Sequence, residues 1–229
     1  MRLARITIFA GHFGSGKSSL AVAYAMWARK HRAHVVLCDL DIVNPYFCSS
    51  NALQCLTEAN IRLVASRYVN TNTDAPAIPA ETRVLFDDKN VTGIIDLGGD
   101  NRGALAIGRY ASFLQDKNEY EMLMVINRFR PLTSNIEDLL EMKEAIEAAS
   151  RIAFTGIINN SNLMAETTLS NVLGTADYAE EASQKLSLPL KATSIEQRLI
   201  DNSGALELAR QTVGNVFPLN LYAQSIKIK

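Results

Sequence analysis

Near the N-terminus, Gly11-His-Phe-Gly-Ser-Gly16-Lys17-Ser18 sets glycines, a lysine and a hydroxyl at the spacing GxxxxGK[ST]. A short apolar run precedes the motif, and helix-forming residues follow from Lys17. That order suits one kind of chemistry. Glycines let the backbone curl until successive N–H groups face an anion, and a helix N-terminus adds its positive dipole end. Lys17 is placed to reach the outer phosphates of a nucleoside triphosphate, and the Ser18 hydroxyl to coordinate Mg2+. Gly14 widens the loop's access to positive φ. The expected cradle is Gly11, His12, Phe13, Gly14, Ser15, Gly16, Lys17 and Ser18, with Ser19 adjoining.

Magnesium and an attacking water need carboxylates that face the phosphates. Two apolar runs end in them: Val35-Val-Leu-Cys-Asp39-Leu-Asp41 and Ile94-Ile-Asp96-Leu-Gly98-Gly99-Asp100. Asp39 and Asp41 flank one residue, so on a strand they point to the same side. Asp96 is assigned to the metal shell, Asp39 to helping the metal or the loop, and Asp41 to orienting or deprotonating the water. Gly99 can sense a terminal phosphate through its N–H.

These residues must be held by alternating strands and helices. The pattern predicts strands at Arg5–Ala10, His34–Asp39, Ile61–Val64, Thr92–Leu97, Glu121–Asn127, Ala153–Asn159 and Leu190–Thr193. It predicts helices at Lys17–Arg32, Ser49–Ala59, Ala80–Phe86, Gly103–Gln115, Ile136–Ala149, Thr168–Leu186 and Ala205–Val213. Several strands are nearly continuous in Val, Ile and Leu, as when both faces are buried. The alternation predicts an α/β fold with a mainly parallel sheet and helices on both faces. Without a Gly-, Pro- or Ser-rich linker or an internal repeat, residues 1–229 read as a single domain. Tyr68–Pro79, rich in Asn, Asp and Pro, reads as a connection or a loop near the site.

The phosphate loop, the DLD strand and the DLGGD strand together resemble the MinD/ParA-like P-loop ATPases. That group belongs to the SIMIBI class, with the nitrogenase iron protein and dethiobiotin synthetase. The resemblance covers roughly residues 6–193 and is diffuse beyond the three motifs. It implies ATP as ligand, Mg2+ as cofactor, slow hydrolysis, and a dimer that forms around two nucleotides to act on a protein partner. Lys17 and Ser18 match the loop lysine and the hydroxyl ligand. Asp41 matches the acid that orients the hydrolytic water, Asp96 the acid that supports Mg2+, and Gly99 the stretch that responds to the terminal phosphate. At one position the sequence departs from the pattern: the family's signature lysine is replaced by His12. A protonated histidine can donate to phosphate, but its ordinary pKa near 6.5 makes that charge conditional. Arg102, just after DLGGD, is an alternative cation.

The guanine-reading motif NKxD is absent. Asparagines instead end two apolar runs, Val125-Ile-Asn127 and Gly156-Ile-Ile-Asn159-Asn160. The resemblance implies that Asn159 or Asn160 hydrogen-bonds adenine, which favours ATP over GTP; a routine turn is the alternative role. Two other functions stay open. One is a small-molecule ligase or kinase resembling dethiobiotin synthetase, and the other a nucleotide-binding module without hydrolysis.

Composition narrows the partners. The net charge is −1, with 21% charged residues, so no sequence-wide attraction to nucleic acid or acidic membrane is expected. Cys38, Cys48 and Cys55 form no CxxC pair, which fits a reducing, cytoplasmic setting better than a disulfide framework. Closely paired cluster-binding cysteines are absent as well. No apolar stretch approaches ~18 residues, and the tail Asn215–Lys229 carries Pro218 without a helical period. Membrane docking is therefore not expected; a terminal strand or a partner-binding arm stays open.

Overall fold

A computed structural model describes residues 3–40, 50–65, 80–99, 101–114, 116 and 119–222. Asp41, Cys48 and the Tyr68–Pro79 stretch lie outside them. The elements run β1 (Ile6–Ala10), α1 (Lys17–Arg29), β2 (Val35–Leu40), α2 (Ser50–Glu58), β3 (Arg62–Ala65), α3 (Val84–Asp87), β4 (Thr92–Leu97) and α4 (Asn101–Ile107). They continue with β5 (Tyr120–Ile126), α5 (Ile136–Ser150), β6 (Gly156–Asn159), α6 (Leu169–Leu173), α7 (Ala176–Leu186), β7 (Leu190–Glu196), α8 (Ser203–Val213) and β8 (Val216–Leu219).

The strands form one sheet in the order β3-β2-β4-β1-β5-β6-β7-β8, and every neighbouring pair is parallel. The α/β architecture expected from the sequence is therefore present. Strands β1, β4 and β5 are buried along their whole lengths, which is why their sequences are apolar without alternation. On one face, Leu20, Tyr24 and Ala28 of α1 recur at three- to four-residue spacing and pack with Phe9, Leu37 and Ile94 of the sheet. On the other, α4, α5 and α7 cover Ile6, Ile8, Ile95 and Met122. A third, smaller cluster joins α6 and α8 to β7 through Val172, Ala209 and Ile195.

Several elements differ from the sequence reading: the expected helix Ala80–Phe86 is a 3-10 turn, Ala80–Arg83, running into the short α3, and the expected strand Ala153–Asn159 begins at Gly156. The expected helix Thr168–Leu186 is two helices. Thr168 and Asn171 close a reciprocal cap at its start, and Thr175 Oγ1 donates to Val172 O at 2.7 Å, diverting a carbonyl where the helix would continue. The expected helix Gly103–Gln115 begins earlier, at Asn101, and tightens into a 3-10 turn over Gly108–Phe113. The tail supplies an eighth strand, β8, beside β7. Its Pro218 is tolerated because the strand is the sheet's edge.

Candidate functional site

Strand β1 ends at Ala10, and the Gly11–Ser18 loop turns from it into α1. Chain order runs outward from β1 in both directions of the sheet, through β2 and β3 on one side and β5 to β8 on the other. In open parallel sheets this is where ligands bind, outside the carboxyl ends of the strands.

The loop's shape rests on its glycines. Gly14 and Gly16 hold φ of +81° and +85°, where a side chain is strained. A Cβ on Gly11 would lie 2.5 Å from Val125 O, so the chain leaves β1 pressed against β5. Ser15 N donates to His12 O at 3.2 Å and closes the turn, and Lys17 Nζ donates to the same oxygen at 3.3 Å. Phe13 stands out from the loop, 66% exposed. Ser18 and Ser19 are half-buried.

The acids converge on one side of this loop. Asp39 and Asp96 are register partners in β2 and β4. Both follow by two residues an apolar position packed against α1, Leu37 and Ile94, so both face α1. With Ser18 they border one small cavity, about 10 Å³, beside Leu53 and Leu56 of α2. A hydroxyl and two carboxylates are hard oxygen donors, the set that holds Mg2+ when phosphate and water complete an octahedron. No group of three or more acidic, histidine or cysteine side chains suited to a metal occurs among the described residues.

Gly99 meets the loop directly. A Cβ there would lie 2.3 Å from Gly11 O and 2.9 Å from His12 Cα. The segment after β4 thus touches the phosphate loop through backbone alone.

His12 is half-buried, and its imidazole is pushed below the usual 6.5. Burial is the main cause. Asp138 at the start of α5 pulls the other way, and the Lys17 ammonium adds to the depression. In the ligand-free protein these surroundings favour the neutral imidazole. Arg102, the alternative cation, is exposed on α4.

Asn160 abuts the phosphate loop, and Asn159 precedes it at the end of β6. Asn159 is fully buried; its Nδ2 donates to Thr175 Oγ1 at 2.9 Å, and its Oδ1 accepts from Ser161 Oγ at 2.6 Å. Asn160 Nδ2 donates to Ser15 O at 2.7 Å, and its Oδ1 accepts from Ser194 Oγ on β7. These bonds tie both amides to the protein's own framework. Asn127 is tied likewise, its Oδ1 accepting from Phe129 N at 3.0 Å and Asn162 N at 3.3 Å.

One neighbour of the loop was not singled out from the sequence. Arg130, in the turn after β5, lies alongside Gly14: a Cβ on that glycine would sit 3.7 Å from Arg130 Cδ and 3.9 Å from its Nε. The only sequence signal was its place just before Pro131, which keeps the residue extended.

No family model and no curated protein matches this chain. Solved structures do. The cell division protein FtsY of Thermotoga maritima matches at a TM-score of 0.58 and 17% identity, over 95% of this chain and 66% of that one. Chloroplast FtsY from Physcomitrella patens gives 0.52 and 18%, over 84% and 58%. The signal recognition particle receptor FtsY from Elizabethkingia anophelis, in complex with GDP, gives 0.51 and 15%, over 93% and 65%. This chain thus spans 58–66% of the length of these three proteins. At this identity the likeness shows the fold alone, an α/β P-loop NTPase-like fold, and does not single out the MinD/ParA branch.

Among the described residues, no helix is long and apolar enough to cross a membrane.

Proposed function

We propose that this chain is a Mg2+-dependent nucleoside-triphosphate switch of MinD/ParA type, which hydrolyses ATP slowly and changes its association with itself or a protein partner. One observation carries the reading. Ser18, Asp39 and Asp96 border one small cavity beside the phosphate loop, while Gly99 touches that loop by backbone. Such a contact gives the segment after β4 a direct response to phosphate occupancy.

In this reading Lys17 leaves His12 O to neutralise charge that develops on the outer phosphate. Ser18, Asp39 and Asp96 would hold the metal, which supplies charge neutralisation when bound. Asp41 would position the water. Backbone N–H groups of the loop orient the phosphate chain. The absence of NKxD supports ATP; the GDP bound to one FtsY makes a guanine nucleotide the comparison to run.

Calorimetry with ATP and GTP, with and without Mg2+, tests the ligand. Binding that persists in Lys17→Ala overturns the proposal. Mass measurement of Asp41→Ala with ATP and Mg2+ tests the switch, with a nucleotide-dependent dimer as the expected result. Phosphate release that appears only with a carboxylic or amine acceptor favours the ligase reading instead, to which the missing signature lysine lends some weight.

A further inference from the structure

We infer that Arg130 is a phosphate-binding residue of this site, its guanidinium reaching the anion across the rim of the loop at Gly14. The inference rests on the phosphate-loop reading above and adds a cation to it.

The backbone that presents Arg130 is fixed at both ends. Arg130 N donates to Asn127 O at 3.1 Å, and Arg130 O accepts from Thr133 N at 3.0 Å. Thr133 Oγ1 donates to Asn127 O at 2.6 Å and ties the turn to the end of β5. Before Pro131 the residue is held at φ −114° and ψ 132°. The side chain leaves this turn and lies along Gly14, at van der Waals distance from where a Cβ would stand.

Its hydrogen bonding is incomplete. Arg130 Nε is buried and makes no hydrogen bond. A guanidinium N–H kept from water without an acceptor is costly, and an anion in the neighbouring loop removes that cost. Arg128, two residues earlier, is different. It donates to Ser134 O and stacks over the Tyr178 ring at 5.4 Å from the centroid, so its role is structural.

The sheet order places the two kinds of charge on opposite flanks. Asp39 and Asp96 stand at the ends of β2 and β4, on one side of β1, and Arg130 follows β5 on the other. A phosphate chain in the loop would have the metal-binding oxygens on one flank and a planar, permanently charged donor fork on the other. That fork matches phosphate geometry better than an ammonium does.

The test compares full-length wild type, Arg130→Ala, Arg130→Lys and Lys17→Ala. Calorimetry measures binding of inorganic tripolyphosphate, ATP and ADP with Mg2+, and thermal melting is recorded without ligand. Arg130→Ala is expected to weaken tripolyphosphate and ATP by roughly 10- to 100-fold, with Arg130→Lys between it and wild type. The ligand-free melting temperature should stay within a degree or two of wild type. Wild-type affinity in Arg130→Ala, while Lys17→Ala abolishes binding, overturns the role of Arg130 and leaves the loop reading standing. Lowered ligand-free melting that tracks the lost affinity makes the arginine structural and overturns the inference as well. Undiminished binding in Lys17→Ala would sink the loop reading itself.

Discussion

Asp39 and Asp96 lie side by side in the parallel register of β2 and β4, and both border the small cavity that Ser18 also lines. Two carboxylates at adjacent strand ends attract a divalent cation once phosphate is present. Asp96→Asn is expected to lower the affinity of the nucleotide complex for Mg2+ by about 10- to 100-fold, with metal-free nucleotide binding little changed. Titration of Mg2+ against fluorescent nucleotide measures this. An unchanged metal dependence would remove Asp96 from the shell.

Asn160 joins β7 to the phosphate loop by accepting from Ser194 and donating to Ser15 O. Asn160→Ala leaves two buried polar partners unsatisfied and should cost about 1–3 kcal/mol of stability. Urea unfolding should show a lower midpoint at unchanged slope. ATP and GTP affinities should fall together, because the side chain shapes the loop. A loss confined to one base would support a base-reading role.

Gly99 has no room for a methyl group against Gly11 and His12, and the obstruction is backbone on both sides. Gly99→Ala should force the segment after β4 away from the loop at about 1–3 kcal/mol. The check is nucleotide affinity beside melting temperature. Gly204→Ala is the control, since the nearest atom to its Cβ would be 3.6 Å away.

His12 has a depressed pKa, so the fold favours its neutral form. Its contribution to stability is present above its unfolded value near 6.5 and is lost as pH falls through the lower folded value. His12→Asn should therefore flatten the stability profile below pH 6.5 and leave it unchanged above. Proton NMR should place the imidazole midpoint below 6.5 in the free protein and raise it when tripolyphosphate binds, because the anion favours the charged ring.

Burial pushes the Cys38 thiol up to about 12. It should resist alkylation at pH 8 in the folded chain and react once denaturant is added. Mass mapping of the modified cysteine reads the outcome.

What the sequence by itself determined was local. The loop Gly11–Ser18 was legible because only glycine serves at φ of +81° and +85°, and because the anion cradle needs a contiguous run. The parallel sheet was legible because strands buried on both faces are apolar throughout. That Asp39 and Asp96 would be neighbours followed only from β4 inserting between β2 and β1, a pairing of strands distant in sequence. The same limit hid Arg130, whose approach to Gly14 spans more than a hundred residues of chain. The asparagines show both sides. Residue type and strand-end position pointed to Asn159 and Asn160 as site residues, but not to their partners Thr175, Ser15 and Ser194, which come from three other segments. Hydrogen-bond partners of a buried amide are set by what folding brings within 3 Å, and no spacing along the chain records that.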